Sequence, residues 1–125
     1  MAPKTAFCSV IVRPSSESLG SVKAQAFLTE IGDKTIVTIF CNVECIFRDK
    51  DDLKGWFPDS SNQTTKSVGG GSTVIKLVFD GLNDGDSLRD PTALRSLLER
   101  GMQQMCTFLA RIVNQDYPAA HAALH

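Results

Sequence analysis

The strictest constraint in this chain lies between Val37 and Phe47. Val37, Ile39, Cys41, Val43, Cys45 and Phe47 take every second position, and Thr38, Asn42, Glu44 and Arg48 fall between them. Side chains of an extended strand point alternately to opposite faces, so a period of two predicts one long amphipathic strand with its apolar face turned to a core. Phe40 and Ile46 interrupt the polar side. That side is therefore expected to be covered in part, by the insertion that follows or by a partner.

The same period recurs elsewhere. Ala6, Cys8, Val10 and Val12 predict a first strand, ended by Pro14-Ser15-Ser16, and Val22, Ala24, Ala26 and Leu28 alternate with Lys23, Gln25 and Thr29 in a second. The second ends near Glu30 to Lys34, where Gly32-Asp33 can supply a hairpin turn. Ile75, Leu77 and Phe79, with Lys76 facing the other way, predict a fourth strand over Thr73 to Phe79. Asp90 before Pro91 reads as an N-cap followed by proline at the first helical position. Leu94, Leu97, Leu98, Met102, Met105, Leu109 and Ile112 then recur at helical spacing. The helix is expected to reach about Gln115, a rod of roughly 37 Å that lies across the sheet. Tyr117-Pro118 should stop it, and the tail to His125 should fray.

The expected fold class is thus α+β: an antiparallel sheet of about four strands, in β-β-β-β-α order, packed on one long C-terminal helix. A chain of 125 residues is expected to form one domain. Residues 50–72 break the pattern: Asp51, Asp52, Lys54 and Gly55 lead to Trp56-Phe57-Pro58, then a polar run, then Gly69-Gly70-Gly71. This reads as a partly flexible insertion whose front half packs, with the glycines as a linker.

Composition removes several function classes. Hydrophobic residues at 42% and charged residues at 22% suit a folded globule. Lys and Arg are scattered and net charge is −1, so the dense cationic surface that phosphate binding demands is missing, and no nucleic-acid partner is expected. No apolar run approaches the ~18 residues that span a bilayer, and Met1 to Thr5 lead into no signal-like segment. A cytoplasmic location without membrane association is the expectation, with Cys8, Cys41, Cys45 and Cys106 as reduced, buried thiols.

Motifs that could carry chemistry fail on spacing. Cys41 and Cys45 share a strand face but lack the second ligand pair of a zinc site. His121 and His125, the only histidines, belong to a terminal tail that nothing obvious orders, and Ser-His-Asp or Cys-His catalysis would have to draw on that tail. Asp80, Asp84 and Asp86 resemble a calcium loop only until Leu82 and Pro91 occupy positions that need oxygen ligands. Gly69 to Thr73 lead into a strand rather than a helix, unlike a phosphate loop, and Asn62-Gln63-Thr64 has the form of a glycosylation acceptor without an export signal. No catalytic residue, metal or cofactor is expected.

What remains is apolar surface. The chain reads as a non-catalytic interaction or assembly subunit, binding a protein partner or forming a homodimer, with Phe40, Ile46, Trp56 and Phe57 as an interface or ligand lip. Trp56 and Phe57 equally suit a cap over the open end of the core. Two alternatives stand beside this: a carrier holding an apolar ligand against Met102, Met105 and Phe108, and an enzyme using Glu30, Glu44 or Asp51.

Overall fold

A computed structural model describes residues 6–12, 21–42, 50–81 and 85–114. Five strands form one antiparallel sheet: β1 (Ala6–Val12), β2 (Val22–Ile31), β3 (Lys34–Cys41), β4 (Asn62–Gly69) and β5 (Ser72–Asp80), in the spatial order β1-β2-β3-β5-β4. A short helix α1 (Lys50–Trp56) precedes β4, one turn of 3₁₀ helix spans Asp86–Arg89, and α2 (Pro91–Asn114) closes the described chain. The α+β class and the long C-terminal helix agree with the alternation and the helical stripe. Between Val37 and Phe47 the described strand ends at Cys41, and Val43, Glu44, Cys45, Ile46 and Phe47 lie outside the described residues.

One face of the sheet carries the core. Cys8 and Val10 of β1, Val22 to Leu28 at even positions of β2, Val37, Ile39 and Cys41 of β3, and Ile75, Leu77 and Phe79 of β5 are all buried. Against them α2 sets Leu94, Leu97, Leu98, Met102, Met105 and Cys106, the stripe that recurs every three or four residues. The helix starts as the sequence requires: Asp90 Oδ1 accepts from the backbone N–H of Thr92 (3.1 Å), and the Asp90 carbonyl accepts from Leu94 N–H (3.1 Å). At the β2–β3 turn Gly32 has φ +60°, a left-handed conformation that glycine adopts without steric cost.

Where an insertion is expected, residues 50–72 form α1 and a fifth strand, β4, before the turn into β5. Leu53 and Trp56, three apart on α1, are buried with Phe57. The link from α1 to β4 is pinned by polar groups: Lys54 Nζ donates to the carbonyls of Pro58 (3.1 Å) and Ser60 (2.7 Å). Ser60 Oγ donates to the Phe57 carbonyl (2.6 Å), and Gln63 Nε2 donates back to Ser60 Oγ (2.7 Å). The glycines are a tight reversal rather than a linker, with φ of +83°, +63° and +77° at Gly69, Gly70 and Gly71, joining β4 to β5. The register slips between Ser67 and Gly69, which leaves Val68 as the extra residue of a bulge.

Candidate functional site

The opposite face of the sheet is built from the other parity of the same strands. In register, Phe7 lies beside Phe27, Gln25 beside Phe40, and Phe40 beside Val74. Phe7, Phe27, Phe40 and Val74 therefore make a row across β1, β2, β3 and β5. The Phe7 and Phe27 ring centroids are 5.0 Å apart, and Phe27 meets Phe40 edge to face at 5.7 Å and 86°. Although they touch one another, the rings remain 55%, 42% and 45% exposed, with Ile11 and Ile31 more open still. Half-buried Ile36 and Val78, paired across β3 and β5, lie four residues along those strands from Phe40 and Val74, beyond Thr38 and Lys76.

Lysines stand around this row. Lys23, Lys34, Lys66 and Lys76 are exposed and share its parity, while Asp80, opposite Lys34, is the one carboxylate of that parity among the described residues. Lys66 lies directly across from Val74, and Lys76 sits between Val74 and Val78 on β5. The result is an apolar ridge flanked by ammonium groups.

Of the four residues singled out in the sequence, Phe40 belongs to this ridge and Ile46 lies outside the described residues. Trp56 and Phe57 are on the other side of the molecule, buried with α2: the Trp56 ring lies 5.6 Å from Phe108, and Phe57 sits over Gly101. Their position is that of a cap on the core, although both also line a cleft of about 80 Å³ with Arg100 and Gln104. A larger cleft of about 290 Å³ opens beside it, walled by Asp59, Ser87, Leu88, Ser96, Leu97 and Arg100.

Phe7 and Phe27 escaped the sequence reading. Both stand at odd positions of strands whose even positions already supply the core, and the signal was there: Ala6 to Val12 and Phe27 to Ile31 hold large apolar residues on both parities. A strand buried on one face only has no need of them.

Met102 and Met105 are fully buried and Phe108 packs against the same core. Glu30 pairs with Arg89, which also reaches Asp86 at 3.4 Å, and these groups wall a polar cleft of about 210 Å³ at the β2–β3 turn. Glu44, and the side chain of Asp51, lie outside the described residues. Cys8, Cys41 and Cys106 are buried thiols, and Cys41 Sγ is 3.6 Å from the Thr73 carbonyl. Burial pushes Cys106 up to about 11, with nearby Cys41 adding to the rise. Such a thiol stays protonated and is a poor nucleophile. Among the described residues no cluster of three or more His, Cys, Asp or Glu could hold a metal ion, and no helix is long and apolar enough to cross a membrane. Compared with known proteins, the chain matches no family model, no curated protein and no solved structure.

Proposed function

We propose that this chain is a non-catalytic protein-interaction or assembly subunit whose contact surface is the uncovered face of its sheet. The observation that carries the reading is the set of three phenylalanine rings, packed on one another and still about half exposed. Clustered apolar surface left in water forgoes roughly 25 cal/mol for each Å² that a partner would bury. Scattered exposed apolar residues are ordinary on a soluble domain, but a contiguous aromatic row rimmed by charge has the anatomy of an interface, with aromatics at its centre and polar groups at its rim.

The test is to express the tagged chain in its source cell, cross-link, and size the product beside a Phe27→Ser/Phe40→Ser variant. The wild type is expected in an assembly larger than one chain, and the variant as a single chain with an unchanged melting temperature, because these side chains lie outside the core. A wild type that runs as a single chain with no cross-linked product would reject the reading.

A further inference from the structure

We infer that the occupant of the uncovered face is an acidic amphipathic segment of a partner protein, and not a second copy of this chain. This rests on the reading of that face as the contact surface and adds the chemistry of what binds there.

The whole chain has a formal net charge of −1, yet among its described residues this face carries Lys23, Lys34, Lys66 and Lys76 against Asp80 alone. Asp80 lies directly opposite Lys34. Lys23, Lys66 and Lys76 are left along the ridge, Lys23 on one side and the other two at its β5–β4 end. Stacking the face on its own copy would bring like charges together over an apolar centre as water leaves, a juxtaposition that selects against that pairing. A segment with carboxylates beside apolar side chains meets the same lysines with opposite charge while its apolar residues cover the rings.

Size agrees with a short helix. The ridge from β1 to β5 crosses three strand spacings, about 14 Å, which a helix covers in about nine residues, so apolar side chains at i, i+3 or i+4, and i+7 would follow it. Lys66 and Lys76 would then lie within reach of glutamates beside that stripe. Phosphate would satisfy the lysines too, but single-stranded nucleic acid binds by laying bases on open aromatic faces. Phe27 and Phe40 stand 86° apart and offer no common plane, and the surrounding Ile11, Ile31, Ile36 and Val78 suit aliphatic side chains better than bases.

The probe is a fluorescein-labelled peptide of about 14 residues, three to four helical turns. It carries leucine at i, i+4, i+7 and i+11 and glutamate at most remaining positions, and it is compared with the same peptide bearing lysine for glutamate. Anisotropy titration is expected to show saturable binding of the acidic peptide only. Binding should weaken with added salt, fall at least about tenfold in Lys66→Glu/Lys76→Glu, and vanish in Phe27→Ser/Phe40→Ser. Equal or better binding of the lysine peptide, absence of binding to the acidic one, tighter binding of an oligothymidine, or self-association of the purified wild type that the phenylalanine variant abolishes would each overturn the inference. Should the acidic peptide fail while Phe27→Ser/Phe40→Ser still dissolves the cellular assembly, the partner's chemistry is wrong and the contact face stands. Should that variant leave the assembly intact, the face itself is wrong.

Discussion

The ring of Phe57 occupies the place where a side chain at Gly101 would begin. A Cβ built on Gly101 would lie 2.1 Å from Phe57 Cε1 and 2.2 Å from Cζ, so α1 and the residue after it reach the helix only because position 101 is bare. Gly101 is in the middle of α2, where glycine costs about 0.8–1.0 kcal/mol relative to alanine. That local cost is accepted for close packing.

Gly101→Ala should therefore destabilise the fold, against its own helix propensity. Overpacking of this kind typically costs about 1–3 kcal/mol, which outweighs the gain in propensity at all but its lower end. Phe57→Leu should relieve part of the loss, and a double-mutant cycle by urea denaturation would expose the coupling. A Gly101→Ala protein more stable than wild type would show that the Phe57 ring is not held there.

Leu98 and Met105, both fully buried, lie seven residues apart on α2, and truncating either to alanine should cost ~2–5 kcal/mol. Glu99→Ala and Gln103→Ala, on the exposed side, should stay within about 0.5 kcal/mol of wild type. Denaturation midpoints would separate the two pairs. If all four variants unfolded together, the stripe would not be the cover of the sheet.

Stability should fall on the alkaline side. Burial raises the Cys106 thiol from 9.0 to about 11, and burial likewise raises Cys8, opposed by Arg95 and reinforced by Glu99. Through that window the unfolded chain has released the Cys106 proton while the folded chain still holds it. The unfolded state thus binds fewer protons, and unfolding becomes easier as pH rises. Cys106→Ala should flatten the decline between pH 9 and 11 in melting scans, relative to wild type, while an identical slope in both would assign it to other groups.

Thiol labelling gives a second view of the same region. Cys8, Cys41 and Cys106 should react with a maleimide only after denaturant is added, since all three are buried. Native-state modification of Cys41 would contradict the register that turns it toward α2.

Much of this architecture could be read from residue order, and the failures have physical causes. β1, β2, β5 and α2 announce themselves because each buries one face, which imposes a period on the sequence. Asn62 to Val68 buries neither face, Gln63 alone being even half-covered, so β4 is held by backbone pairing to β5 and leaves no alternation to see. Gly101 looks like a flaw in a helix until Phe57, 44 positions earlier, is placed against it. The aromatic ridge was legible one residue at a time: Phe40 stood out on a polar side, but its joining to Phe27 and Phe7 depends on strand register, which turns and core packing set.

The two borders of the sheet bear on how many molecules a complex could contain. On β1, Arg95 of α2 donates through Nη1 to the Ser9 carbonyl at 3.0 Å, occupying a backbone acceptor halfway along the strand. On β4, the Val68 bulge and the left-handed glycines bend the far border away from straight pairing. Strand-by-strand growth is thereby discouraged at both margins. An occupant of the proposed contact face would then saturate at one per chain, so complexes built through it should have fixed stoichiometry, and concentrating the protein should give no fibres.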